Sequence, residues 1–368
     1  MDLMPDLDPI PLPAPVWLFK LLHVVTLALH FGAVQLMAGG LILATIWSFA
    51  GHRRQDAIQI DASNATIHRL PVVMAYVINL GIPPLLFAQV LYGRALYTSS
   101  VLIGVYWLSV VFLVMFAYFL MYRMAKRAET SRAFGWMGLL AIVAVLKVGY
   151  IYSANMTLML APESWTALYR NDPLGMSMAS GPAAMPRWAY MMIGSLGFSG
   201  VGLLLMGIYP KIAEETRAFL ARQGGRLISA FTAVQILLGV AVFRGQPAGV
   251  RGALLESGYY LALTALWLLT ALALIAVGAA AARRAPAWPL AAAAGGLGFV
   301  NILAMTGFRD GIRDIALLQN GYDVWERAVS TNWGTVGLFL LLFVGVIVAM
   351  AWLGRVVFQA KGETATYG

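Results

Sequence analysis

Nine apolar stretches dominate this sequence, and each is long enough to cross a lipid bilayer as a helix, which takes about 20 mostly apolar residues. The composition agrees, because only 11% of the 368 residues are charged, against about a quarter in a soluble domain. We therefore predict an all-α, polytopic transmembrane helical bundle that forms a single membrane domain over residues 1–368. The predicted spans lie near residues 17–49, 70–92, 100–122, 134–159, 188–209, 227–243, 258–281, 288–308 and 334–358.

The basic residues between the spans predict how the chain is oriented. Of the 25 Lys and Arg residues, fifteen lie in one alternating set of loops, eight lie in the other set, and two lie within spans. Because loops rich in Lys and Arg stay on the cytoplasmic side, this bias predicts an outer N-terminus and an inner C-terminus. The formal net charge of +9 is then explained by basic residues that orient the chain on insertion and contact lipid head groups. A nucleic-acid partner is not expected.

Two of the predicted outer loops are long, and they cover residues 162–187 and 309–333. The second carries mixed charge and is typical of an amphipathic surface helix. Both loops lie on the same predicted face of the membrane, where a peripheral protein could dock. The candidate docking residues are Arg309, Arg313 and Trp325. The alternative is that both loops are only solvated connections between spans.

Two of the four histidines, His23 and His30, lie inside the first predicted span. Seven helical residues turn the chain by about 700°, so both rings point to nearly the same face, about 10 Å apart along the axis. Imidazole is a common ligand of haem iron, and we predict His30 first and His23 second in that role. His30 lies deeper and is followed by small residues that allow close approach: Gly32, Ala33, Gly39 and Gly40. The alternative is a packing histidine that hydrogen-bonds a neighbouring helix.

The absence of cysteine excludes thiolate-held iron–sulfur clusters and c-type haem attachment in this chain. Lys147, within the fourth span, is predicted either to serve a proton path or contact a quinone head group or haem propionate, or else to hydrogen-bond backbone carbonyls. Lys20 is interpreted as an anchor at the membrane interface. Asn79 begins a segment that contains Pro83-Pro84, where we expect a kink that marks either a cofactor site or plain architecture. No carboxylate falls within the predicted spans.

Several segments resemble a family of bacterial polytopic membrane proteins, which are distant relatives of cytochrome bd subunit I and are often associated with c-type cytochromes. The segment 79–87 in the second span is the most specific of them. The segments are Leu29-His30-Phe31 with Gly39-Gly40, residues 71–73, 79–87, 89–93, 97–100 and 155–160, Pro162 with Trp165, and Arg309-Asp310 with Arg313.

This resemblance implies a bundle in the bacterial cytoplasmic membrane that binds haem b. It further implies electron exchange between quinol or quinone and a periplasmic c-type or multihaem cytochrome, together with other membrane subunits. Relatives tend to place a haem-binding histidine in the fifth span, where this chain has Tyr190. A haem would then be held by His and Met or by His alone, or haem has been lost. Without carboxylates in the spans, reduction of oxygen by this chain is not expected.

Three functions remain open from the sequence. The first is an electron-transfer subunit with haem and quinone, for which the candidate cofactor-binding residues are His30, His23, Lys147, Asn79 and Tyr190. The second is a haem-free membrane anchor for another redox protein, which the Tyr190 departure favours. The third is a secondary transporter with its site at the second span, although the Pro-Pro pair occurs in only one predicted span.

Overall fold

The computed structural model of the chain describes residues 10–359, and it is built from helices. A short 3-10 helix, Pro162–Ser164, precedes α6. The α-helices are α1 (Val16–Arg54), α2 (Ala57–Ile67), α3 (Leu70–Leu102), α4 (Gly104–Ala128), α5 (Gly135–Leu158), α6 (Trp165–Asn171), α7 (Ala184–Gly207), α8 (Glu214–Arg244), α9 (Ala248–Glu256), α10 (Gly258–Ala281), α11 (Trp288–Gln319) and α12 (Trp333–Gln359).

Nine helical segments in the described part of the chain are long and apolar enough to cross a membrane. The predicted all-α, multi-pass architecture is therefore confirmed, and each predicted span falls on one of these segments. The longest single helix is α1, which has 39 residues and so measures about 58 Å, against about 30 Å of hydrocarbon. The side of the membrane on which each terminus lies stays a prediction.

The largest departure from the predicted spans concerns α11. Hydropathy ended this span at Phe308, but the helix continues to Gln319. The first part of the predicted outer loop 309–333 is therefore helical, and both Asp310 and Arg313 are buried. The prediction that the spans contain no carboxylates was wrong, because Asp310 and Asp314 belong to a candidate span. Hydropathy misplaced the boundary because it counts each charge as exposed and cannot see the partners described below.

The predicted kink at Pro83-Pro84 is also displaced. Both prolines lie inside α3, and the backbone leaves helical angles only at Tyr92, where φ is −128° and ψ is 16°. The carbonyl oxygen of Leu91 accepts a hydrogen bond from the hydroxyl of Tyr322 at 2.7 Å. A side chain that hydrogen-bonds a helix carbonyl is a recognised cause of a kink. The break in α3 therefore lies beside the hydrogen bond from Tyr322 and not at the proline pair.

Residues 20–324 form one compact unit. Within it, α1 packs closely against several other helices. Buried apolar residues of α1, including Leu41 and Ala44, form a cluster with others from α3, α4 and α5. On another face, a Cβ added at Gly39 would collide with the carbonyl oxygen of Ser195 in α7. Only glycine permits this approach, so the small residues expected around His30 do allow a helix to come close.

Within the described part of the chain, residues 10–19 and 325–359 belong to a second compact unit. Leu12 pairs with the extended segment that precedes α12. Its N–H donates to the carbonyl oxygen of Ala328 at 2.8 Å, and its carbonyl accepts from Ser330 N–H at 2.9 Å. Trp325 is exposed, as its predicted docking role requires, and that role stays a prediction. So does the single membrane domain.

Candidate functional site

A partly open cavity of about 810 Å³ lies within the unit formed by residues 20–324, and its lining residues come from α1, α3, α4, α5 and α7 to α11. This volume lies within the range of about 300–1,000 Å³ that is usual for small-molecule and cofactor sites. Most of the lining residues are apolar. The ionisable exceptions other than tyrosine are His23, His30, Arg187, Arg309 and Arg313.

His30 is fixed by the backbone of α3 and keeps one ring nitrogen unbonded. Its Nδ1 lies 3.0 Å from the carbonyl oxygen of Val77, so Nδ1 carries the proton and donates it. A Cβ at Gly81 would lie 2.9 Å from Cε1 of this ring, so glycine gives the imidazole its place. Within residues 10–359, Nε2 of His30 forms no hydrogen bond. A backbone-oriented ring with one free nitrogen is the usual state of a metal-ligating histidine.

His23 also lines the cavity, but both of its ring nitrogens have partners. Nδ1 lies 3.0 Å from the carbonyl oxygen of Pro84, and Nε2 lies 2.8 Å from Nη1 of Arg313. Because an arginine can only donate, Nε2 accepts and Nδ1 donates, which makes the ring neutral. In this arrangement His23 therefore has no free lone pair for iron. This is a physical reason to prefer His30 over His23 as the candidate iron ligand.

The side chain of Arg313 belongs to a buried group of charges beside the cavity. We name this group the polar cluster, and it consists of Lys20, Tyr92, Asp310, Arg313 and Asp314.

Nζ of Lys20 is the centre of the polar cluster. It donates to the hydroxyl of Tyr92 at 2.7 Å and to Oδ2 of Asp314 at 2.6 Å, and it forms an ion pair with Asp310. The Tyr92 hydroxyl donates to Oδ1 of Asp310 at 2.7 Å. The guanidinium of Arg313 lies 4.5 Å from the Tyr92 ring centroid. Two cations face two carboxylates, so the charges balance, as burial demands.

The polar cluster corrects two interpretations made from the sequence. Lys20 is not a membrane-interface anchor, because it is buried among its partners. Arg313, predicted as a docking residue, is only 3% exposed and faces inward. Asp310, Arg313 and Asp314 lie at positions i, i+3 and i+4, which share one helical face. That spacing was the available signal that the helix continues past Phe308.

Arg187 and Arg309 give one region of the cavity wall an excess of positive charge. The guanidinium of Arg309 lies 5.1 Å from the ring centroid of Phe31, so Arg309 also lies inside the bundle rather than on an outer loop. In the part of the chain that the structure describes, neither arginine hydrogen-bonds or pairs with a carboxylate through its side chain. Two such cations suit an acidic group of a ligand. The sequence did not single out Arg187.

Lys147 and Asn79, which the sequence predicted as cofactor contacts, are not brought to the cavity. Lys147 is exposed, and its Nζ lies 5.0 Å from the ring centroid of Tyr106. Asn79 is also exposed, and its amide donates to the carbonyl oxygen of Ala75 one turn earlier. Neither side chain lies on the face of its helix that lines the cavity. The apolar periodicity of these spans did not reveal which face that would be.

Tyr190 does line the cavity, as predicted, and Trp267 is its partner. Nε1 of Trp267 donates to the Tyr190 hydroxyl at 2.9 Å. A Cβ at Gly239 would lie 2.8 Å from the Trp267 ring, so this glycine makes room for the indole. Trp267 was missed because a tryptophan in an apolar span is usually a packing residue.

The fold and the site together define an all-α, multi-pass membrane bundle with a large, mostly apolar cavity. A chain of the bd oxidase from Geobacillus thermodenitrificans is similar in structure, with a TM-score of 0.67 over 94% of this chain and 98% of that chain, at 13% sequence identity. The expected likeness to the cytochrome bd fold is thereby confirmed. No protein-family model and no curated protein matches the sequence.

Proposed function

We propose that this chain is a membrane electron-transfer subunit that holds a b-type haem in the large cavity. It exchanges electrons between quinol or quinone and a periplasmic c-type or multihaem cytochrome, in the bacterial cytoplasmic membrane and with other membrane subunits. The observation that carries the proposal is His30, whose Nδ1 is held by Val77 and whose Nε2 remains unbonded at the cavity wall. The fold shared with a bd oxidase supports a redox role.

The residues that line the cavity fit such a group. If haem is bound, His30 would hold its iron through Nε2, and the methionine thioethers at the same walls would be the candidates for a second ligand. Arg187 and Arg309 suit the acidic propionates, and the apolar walls suit the macrocycle. The bound haem supplies one-electron exchange. The lining methionines are Met37, Met74, Met115, Met156, Met191, Met192 and Met305.

A second candidate function is a haem-free membrane anchor for another redox protein. Tyr190 favours it, because this tyrosine stands where relatives tend to carry a haem-binding histidine and its hydroxyl is bonded to Trp267. The exposed Trp325 is then the candidate contact for the periplasmic partner.

The test is a reduced-minus-oxidised visible spectrum of the chain, purified in detergent without partners, together with haem extraction. We expect a b-type spectrum that is lost in His30→Ala. The matched control is His52→Ala, because His52 lies at the other end of α1 and hydrogen-bonds the Ser48 carbonyl oxygen. This control should keep the spectrum.

Two results would contradict the proposal. A b-type spectrum that survives in folded His30→Ala protein would show that the iron ligand lies elsewhere. A wild-type chain that stays colourless even after haem is supplied would favour the anchor function. Binding of a c-type cytochrome to that colourless chain would then distinguish an anchor from a transporter.

A further inference from the structure

A second, much smaller cavity of about 20 Å³ lies beside the large one. Five helices contribute to its wall: α1, α7, α8, α10 and α11. Tyr190 and Met305 line both cavities and therefore separate them. The small cavity differs in chemistry, because several of its lining side chains are polar: Gln35, Tyr190, Thr232, Gln235 and Asn301.

Gln35 is the first sign that this cavity is built for a ligand. Its side chain is only 2% exposed, and Nε2 has no hydrogen-bond partner in the described part of the chain. An amide that is buried without a partner carries the full penalty of its lost hydration. Such groups are normally satisfied by an ordered water when the protein offers nothing.

Thr232 and Gln235, one turn apart on α8, also have hydrogen-bonding capacity to spare. Thr232 is 5% exposed, and its hydroxyl bonds no residue between 10 and 359. The amide of Gln235 reaches only the carbonyl oxygen of Tyr190, at a long 3.5 Å. By contrast, Nδ2 of Asn301 is saturated by the Trp267 carbonyl oxygen and the Thr270 hydroxyl.

We propose that the small cavity binds one water molecule, held by the side chains of Gln35, Thr232 and Gln235. The volume fits, because a water needs about 10–15 Å³ of such space, and so does the number of partners, because a buried water typically makes two to four hydrogen bonds. This site is independent of haem binding.

The direct test is a structure of the full chain in detergent at a resolution that reveals ordered waters. We expect one isolated peak within hydrogen-bonding distance of Gln35 Nε2 and Thr232 Oγ1. An empty cavity, with Gln35 still pointing into it, would overturn the proposal.

A second test compares Gln35→Met with Gln246→Met. Gln246 is equally buried, but its amide bonds the Val242 carbonyl oxygen at 2.8 Å. If Gln35 bonds a water, both variants lose one hydrogen bond, and each apparent melting temperature falls by about 1–3 °C. If the cavity is dry, Gln35→Met removes an unpaired amide and the melting temperature rises, which contradicts the proposal. Thr232→Val should behave as Gln35→Met does.

Discussion

His23 and His30 lie seven residues apart on one face of α1, yet their surroundings assign them opposite tasks. His23 is held by Pro84 and Arg313 at its two nitrogens, and it joins the polar cluster to the cavity wall. His30 is held only at Nδ1, by Val77, and offers Nε2 to the cavity. The residue type and helical phase are the same, so the partners on other helices decide which histidine is structural and which can bind iron.

The largest effect should come from removing the centre of the polar cluster. Lys20→Met leaves the carboxylates of Asp310 and Asp314 facing each other without their shared cation. Breaking a buried ion pair in this way costs about 3–5 kcal/mol in the free energy of unfolding, to be measured by denaturation in detergent. Lys147→Met is the control, since this lysine is exposed, and it should change little. Equal effects of the two substitutions would contradict the structural role of the polar cluster.

Haem affinity should respond to the glycine against which the His30 ring packs. A Cβ at position 81 would lie 3.1 Å from Nδ1, so Gly81→Ala displaces the ring from Val77. Loss of the group that orients a metal ligand typically weakens binding about 10–100-fold, which haem titration would detect. In Gly295→Ala, the new Cβ meets nothing closer than 3.8 Å, so affinity should persist. An unchanged affinity in Gly81→Ala would argue against His30 as the ligand.

His23 should matter for stability and not for haem. His23→Leu leaves Nη1 of Arg313 without its acceptor, and an unsatisfied buried donor costs about 1–3 kcal/mol. We expect a lower free energy of unfolding and a haem content equal to wild type. If haem is lost while the folded protein persists, the contrast between the two histidines fails.

The smallest effect concerns Asp172, a carboxylate outside the spans. A solvated carboxylate of this kind contributes little to stability compared with the buried polar cluster. Hydrogen bonds from Ser177, through its side chain and its N–H, lower the pKa of Asp172. The stabilisation is therefore present above the unfolded pKa of about 4 and is lost as the pH falls through the lower folded value. After correction for the intrinsic exchange rate at each pH, the protection of amides in residues 172–177 should be lower at pH 2 than at pH 6. In Asp172→Asn, that protection should be low at both pH values.

The sequence predicted the spans well because an apolar stretch has few alternatives to a membrane helix. It failed at the end of α11, where four charged residues, Arg309, Asp310, Arg313 and Asp314, continue the helix. The burial of Asp310, Arg313 and Asp314 depends on Lys20 and Tyr92, which lie on other helices. A local count of charges cannot register partners more than two hundred residues away.

The candidate site was predicted only in part, because a local sequence pattern does not show which residues other helices contact. His30 and His23 were found because ionisable residues inside spans are conspicuous, and Tyr190 was found through the family resemblance; all three line the cavity. Lys147 and Asn79 were equally conspicuous but face outward. Periodicity identifies residues that share a face, but it does not identify which face a second helix covers.

The separation of 294 residues between Lys20 and Asp314 has a consequence for how the protein is made. Synthesis at about 5–20 residues per second puts roughly 15–60 s between the appearance of the lysine and that of its carboxylates. Through this interval, Lys20 needs water or lipid head groups as its partners. The polar cluster therefore forms only when the eighth span arrives, and a delay in translation before that point prolongs the time for which Lys20 lacks its carboxylate partners.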